Sequence, residues 1–183
     1  MNILKALNLP PVFIHWIWVC ILTPSYSIAF NGELIGYFNG KKGIRQGDLM
    51  SSHLFVLVMD ILAKSLDLGA VNGLYVLHPK CLAPMITHLS FADDVLIFSD
   101  GSESSVAAIL NILDDFKIGL GLDINRQKTA LLLDGGNIAR NCSMAADLGV
   151  SQGALPVRYL GVALMSQKMR RQDFLPLIDR INL

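Results

Sequence analysis

Apolar positions along this chain change their period several times, and each change marks an element. Residues 2–22 are apolar on nearly every side and predict a helix, with Pro10-Pro11 marking a break or a restart at a first helical turn. Residues 25–30 and 33–38 read as strands. Asn31-Gly32 between them supplies the positive φ angles of a two-residue type I′ turn, so a β-hairpin is expected. The polar, glycine-bounded run Gly43-Ile44-Arg45-Gln46-Gly47-Asp48 reads as a loop. After it, Leu54, Phe55, Leu57, Val58, Ile61, Leu62 and Leu66 recur at three and four, the stripe of a core helix, which Gly69 and Gly73 are expected to break.

Two short apolar runs, 88–92 and 95–99, flank Asp93-Asp94 and read as a second hairpin. Ser102 is an N-cap candidate for a helix over 103–120, whose stripe is Val106, Ile109, Leu110, Leu113, Phe116 and Leu120. Short strands are expected near 122–125 and 129–133. Gly135-Gly136 opens a looser stretch, 158–164 reads as a strand, and 170–183 reads as the start of a helix. Helices and hairpins alternate. The fold class is therefore α+β, with helices backing an antiparallel sheet.

Composition narrows this further. With 183 residues, 52% hydrophobic and 16% charged, the chain is globular and of about one domain, and disorder is excluded. Fifteen basic residues balance fifteen acidic ones, which excludes a protein that coats DNA by charge but not a local basic stripe. Cys20, Cys81 and Cys142 lie far apart and are odd in number, so reduced thiols inside a cell fit better than a disulfide framework or a zinc site. Mean hydropathy is high, at +0.48. The strongest apolar segment, residues 12–22, has eleven residues, against the roughly 20 that a spanning helix needs. It reads as a buried helix, and neither a membrane span nor a signal peptide is expected. High hydropathy also suits a chain whose faces were interior to a larger protein.

The chemistry-bearing site is Phe91-Ala92-Asp93-Asp94. At the tip of a tight hairpin, two adjacent carboxylates can present to one pocket, although in a straight strand they would point apart. They repel each other unless a cation lies between them. Mg²⁺ favours one or two carboxylates together with phosphate oxygens, so the tip suits half of a two-metal phosphoryl-transfer site. The plainer reading is that Asp simply suits turns. Asp114-Asp115 shows how weak the dipeptide is by itself, since in the middle of a helix it reads as a solvated face.

Taken with the 43–48 loop and Gly121-Leu122-Asp123-Ile124-Asn125-Arg126-Gln127-Lys128-Thr129, this segment resembles the reverse transcriptases of non-LTR retroelements, the long interspersed elements of plant genomes above all. Arg158-Tyr159-Leu160-Gly161-Val162 matches as well, so four motifs stand in order along essentially the whole chain. The resemblance implies a right-hand polymerase palm over 1–169, with 170–183 starting the connection towards a thumb. It implies that Asp93 and Asp94 hold Mg²⁺, or Mn²⁺ in its place, and that Arg45, Gln46 and Gly47 lie against the template and the incoming nucleotide, with Phe91 and Ala92 beside them. Lys128 would protonate the pyrophosphate leaving group. The implied partners are an RNA template, a DNA primer and deoxynucleoside triphosphates, in the nucleus or cytoplasm.

Plainer readings stand beside these. Lys128 also reads as a solvated lysine at a strand start, and Gln46 as a residue tying down its own loop. The clusters Lys41, Lys42, Arg45 and Lys168, Arg170, Arg171 suit phosphates, and equally suit solvated surface. Trp16 and Trp18 read as packing, and the His78–Cys81 run as a loop. Members of the resembled family carry a further catalytic Asp upstream of the first helix. The expectation is thus an incomplete polymerase, inert alone unless another polypeptide supplies the missing strand and fingers. The alternative is a non-catalytic module that binds nucleic acid or protein. Leu49-Met50-Ser51-Ser52-His53 replaces the usual Pro-Leu-Ser-Pro-Tyr, so the position of Gln46 is less rigidly set, and Ala163 stands where Pro is common.

Overall fold

The computed structural model describes residues 2–40, 46–133, 135, 138–165, 170–175 and 178. They form two compact units, residues 1–57 and 58–183, and the elements are α+β throughout.

In the first unit, α1 (Asn2–Ala6) and α2 (Pro11–Leu22) stand where one interrupted helix was expected, with Pro11 in the first turn of α2. That helix is not buried as a whole. Only Ile14 and Ile17 are, against Leu4, Leu9, Ile21, Met50, Leu54 and Leu57. A helix that is apolar all round needs partners on every side, and this unit covers one stripe. Trp16 and Trp18 are exposed, the first edge-on to Phe13 and the second stacked on His15 at 6.0 Å. Neither belongs to the buried core of this unit.

β1 (Ser25–Phe30) and β2 (Glu33–Asn39) form the expected hairpin, and Asn31 (φ 49°) and Gly32 (φ 84°) carry its turn. Gly36 (φ 64°) is the extra residue of a bulge: Ile35 pairs with Ile28, and Tyr37 with Ser27. α3 (Leu49–Val71) starts in this unit and runs into the second.

The core of the second unit joins Leu62 and Leu66 of α3, Tyr75 and Leu77 after it, and Val106, Ile109, Leu110 and Leu113 of α4 (Glu103–Leu120). The α4 stripe matches the one read from the sequence. Ser102 caps it by accepting from the Ser105 amide at 3.3 Å, and Gly121 (φ 73°) ends it. Partial burial pulls the Asp100 carboxyl up, but hydrogen bonds from Ser105 and Ser102 outweigh it and hold that carboxyl below the usual range. Of the two glycines expected to break α3, only Gly73 (φ 70°) lies beyond its end. Gly69 is a helical residue. A Cβ there would lie 2.7 Å from Ile112 Cδ1 and 3.2 Å from Tyr75 Cε1, so the missing side chain serves close packing.

β3 (His88–Phe91) and β4 (Asp94–Ile97) pair antiparallel, with Val95 and Ile97 against this core. The expected strand at 122–125 does not form. Asn125 instead closes a turn, its Oδ1 accepting from the amides of Gln127 and Lys128, while Ile124 packs on the core. β5 (Ala130–Leu132) consequently pairs in parallel with β6 (Ser151–Gly153), across α5 (Ile138–Asp147), a helix placed in the stretch read as loose. Expected as one strand, 158–164 is a hairpin of β7 (Val157–Tyr159) and β8 (Val162–Leu164), turned at Leu160 and Gly161, both at positive φ. Short 3₁₀ turns cover Pro79–Cys81, read as loop, and Arg171–Phe174; the rest of the expected terminal helix lies largely outside the described residues. Among the described residues the sheet positions fall into four two-stranded pairs, and no helix is long and apolar enough to cross a membrane.

Two stability tests follow from this core. Gly69→Ala gains about 1 kcal/mol of helix propensity but drives a methyl group into Ile112, and overpacking costs about 1–3 kcal/mol. Urea unfolding should show net destabilisation, largely recovered in the Gly69→Ala/Ile112→Val double variant. Tyr75 donates from its buried hydroxyl to the Leu66 carbonyl at 3.0 Å, and burial, then the Asp67 charge, raises its pKa from 10.0 to about 12. Below pH 10 the phenol is protonated in both folded and unfolded chains, so its stabilisation is complete there. Between pH 10 and about 12 the unfolded chain ionises first and stability falls. Tyr75→Phe should flatten that alkaline decline in pH-dependent unfolding and cost about 1 kcal/mol at neutral pH.

Candidate active site

The sequence places a turn between two apolar runs, and the structure sets its register. Phe91 pairs with Asp94, so the two-residue turn is Ala92-Asp93 and Asp94 is the first residue of β4. The turn lies one residue earlier than the carboxylate pair. Ala92 takes φ 51°, the left-handed region that a short hairpin demands and that a residue with a Cβ adopts at a cost.

Side chains directly opposite across an antiparallel pair share a face. Ser90 and His88 therefore share the face of Val95 and Ile97, which meets the core, while Phe91 and Leu89 share the outer face with Asp94 and Leu96. Phe91, Ala92, Asp93 and Asp94 are all exposed. Among the described residues neither carboxylate has a side-chain hydrogen bond or an ion pair, and no group of three or more His, Cys, Asp or Glu side chains is gathered for a metal. The tip thus offers hard oxygen donors not already spent on protein cations. That donor set fits Mg²⁺, which takes one or two carboxylates and fills its remaining positions with water and phosphate oxygens.

Lys128 is exposed at the end of the Asn125 turn rather than at a strand start, its amide 3.0 Å from the Asn125 carbonyl. No hydrogen bond or ion pair among the described residues joins it to Asp93 or Asp94. Its loop is braced from two sides. Arg126 Nη2 reaches Asp114 Oδ1 and Oδ2 at 3.1 and 3.2 Å, and Nη1 donates to the Leu148 carbonyl at 3.3 Å. Lys117 bonds Asp123 at 2.7 Å, and this hydrogen bond holds the Asp123 carboxyl below the usual range. Lys117, Asp123, Ile124, Asn125, Arg126 and Gln127 line an open cavity of about 500 Å³. Asp114 is consequently not the plain solvated residue read from the sequence. Its position next to Leu113 of the α4 stripe is the signal that could have shown it, because such a residue is half covered and can reach across to a neighbouring loop.

In the first unit, Gln46 and Gly47 (φ 85°) form an exposed turn, and Asp48 then caps α3, accepting from the Met50 amide at 2.9 Å. The cap gives that helix a defined start in a sequence without the family's prolines. Arg45, Lys41 and Lys42 lie outside the described residues, as does Lys168. The Tyr159 hydroxyl, within the fourth motif, is buried without a hydrogen-bond partner among the described residues.

Residues 1–164 match the family described as reverse transcriptase (RNA-dependent DNA polymerase). The match takes in all four motifs and far more than half of the chain. This protein belongs to the reverse transcriptase family. Enzymes of that family generally use divalent metal ions and act on RNA and DNA strands and deoxynucleoside triphosphates.

The brace on the Lys128 loop has a measurable strength. Both partners of Arg126–Asp114 are about half exposed, so a double-mutant cycle with Arg126→Ala and Asp114→Ala should give a coupling of about 0.5–1 kcal/mol, most of it lost at 1 M salt.

Proposed function

We propose that the chain is the palm region, over 1–169, of an RNA-directed DNA polymerase from a plant-type non-LTR retroelement, with 170–183 leading towards a thumb. The observation that carries the proposal is the pair of exposed, unpartnered carboxylates at the Ala92-Asp93 turn, inside a chain of this family. Asp93 and Asp94 would hold Mg²⁺, or Mn²⁺ in its place. When bound, the metal supplies positive charge to the triphosphate and to the primer 3′-hydroxyl during nucleotidyl transfer. The chain's own residues orient the reactants. Arg45, Gln46 and Gly47, with Phe91 and Ala92, lie along the template and the incoming nucleotide. Lys128 delivers a proton to the departing pyrophosphate. RNA template, DNA primer and deoxynucleoside triphosphates are the partners, met in the nucleus or cytoplasm.

Two carboxylates alone hold a metal weakly, and no third ligand joins them among the described residues. The described residues by themselves are therefore proposed to bind metal without sustaining synthesis, and a further carboxylate from outside them would complete the site.

The test combines Mn²⁺ binding, read by electron paramagnetic resonance, with primer extension on an RNA template in Mg²⁺ and in Mn²⁺. The chain should bind Mn²⁺ weakly, Asp93→Asn should abolish that binding, and extension should not exceed the level of the variant. Binding indifferent to Asp93→Asn would falsify the metal site and favour a module that only binds nucleic acid or protein. Synthesis that disappears in Asp93→Asn would keep the site and overturn the inactivity.

A further inference from the structure

The two carboxylates stand at the far end of a hairpin with four-residue strands, and their placement is only as firm as the hairpin's base. That base holds a cluster of polar groups that the polymerase reading does not use. Thr87, immediately before β3, is 3% exposed, and it donates from Oγ1 to Asp67 Oδ1 on α3 at 2.5 Å. His88 Nδ1 lies 2.7 Å from the same hydroxyl and 3.9 Å from the Asp67 carboxylate, with the imidazole side chain 15% exposed. A carboxylate only accepts, so the one hydroxyl proton goes to Asp67. The proton between Oγ1 and the imidazole is then the one on Nδ1. The order is His88 Nδ1–H to Thr87 Oγ1, and Thr87 Oγ1–H to Asp67. The Thr87 carbonyl also accepts from the Phe98 amide at 2.9 Å, extending the β3–β4 ladder past its last residue pair.

From these contacts we infer that Asp67, Thr87 and His88 are positioning residues for the carboxylate hairpin, fastening its base to α3 so that Asp93 and Asp94 are presented in a fixed place. The inference rests on reading Asp93 and Asp94 as metal ligands. His88 pairs with Ile97 and lies three residue pairs from Phe91–Asp94, about 10 Å along the strand, so none of the three touches the metal. They act through the backbone. A two-stranded hairpin has little stability of its own, and Val95 and Ile97 hold only its core face. The relay from His88 to α3 supplies a directional polar tie, which apolar packing cannot.

The full chain is the material for the test, with Mn²⁺ as the probe and its affinity read by electron paramagnetic resonance. Circular dichroism confirms that each variant is folded at the measuring temperature. Thr87→Val keeps the shape and removes the hydroxyl. Thr87→Ser keeps the hydroxyl. Asp67→Ala removes the acceptor at the half-exposed end of the relay and leaves the buried threonine in place, so it serves if Thr87→Val does not fold. Outer groups that orient metal ligands are worth about 10–100-fold in affinity. At one remove through the backbone, Thr87→Val and Asp67→Ala should each weaken Mn²⁺ binding by about tenfold, with Thr87→Ser within about twofold of the unaltered chain. Folded variants that bind Mn²⁺ as the unaltered chain does would overturn the positioning role while leaving the metal site intact. Equal weakening by Thr87→Ser would also overturn it, since a packing defect rather than the relay would then be responsible. If the unaltered chain shows no Asp93-dependent binding, the metal-ligand reading fails, and the positioning role falls with it.

Discussion

Everything described in residues 58–183 depends on how closely the end of α3 approaches α4. Leu66 is fully buried at the centre of that contact, and Gly69, with no side chain, lets Ile112 and the Tyr75 ring lie directly over the helix. Tyr75 then turns its hydroxyl back to the Leu66 carbonyl. This satisfies the one polar atom that its burial would otherwise strand, and a stranded group costs about 1–3 kcal/mol. The same turn of α3 carries Asp67. Burial raises the Tyr75 pKa and the Asp67 charge adds to it on one side, while the Asp67 carboxylate receives the Thr87 hydroxyl on the other. One short stretch of helix thus sets both the core and the base of the hairpin.

The hairpin divides its labour by strand register. Val95 and Ile97 face the core, and Asp94, between the turn and Val95, faces away from it. A slip of one residue would reverse every one of these positions. The two-residue turn allows no slack, and Ala92 accepts a left-handed backbone to close it. Partial burial of Val95 and Ile97 against the core favours this register, and the strain at the tip is kept with it.

Residues 121–129 follow a different logic. Asn125 spends both its carbonyl and its side-chain oxygen on a turn, and Arg126 and Lys117 tie that turn to Asp114 and Asp123. These ion pairs are exposed and individually weak. Their use is geometric: a loop anchored at two points carries Lys128 in a defined place without an entire strand to support it. In residues 1–57, by contrast, α2 and the β1–β2 hairpin expose Val12, Trp16, Ile28, Phe30, Leu34 and Tyr37, and among the described residues the buried ones reduce to Leu4, Ile14, Ile17 and Pro24.

The sequence alone determined what depends on near neighbours. The Asn31-Gly32 turn, the Ser102 cap, the α4 stripe and the Asp93-Asp94 hairpin were all legible, because turn angles, caps and helical periodicity are set within a few residues. The four motifs in order made the family legible as well. Pairing partners distant in the chain were not. β5 with β6, Asp114 with Arg126, and Asp67 with Thr87 and His88 join residues 12 to 21 positions apart. The glycine at 69 reads locally as a helix breaker and is in truth a packing surface, because its value comes from Ile112 on another helix. Tertiary structure alone decided these, since a residue's neighbours across a core leave no periodic trace in its own segment.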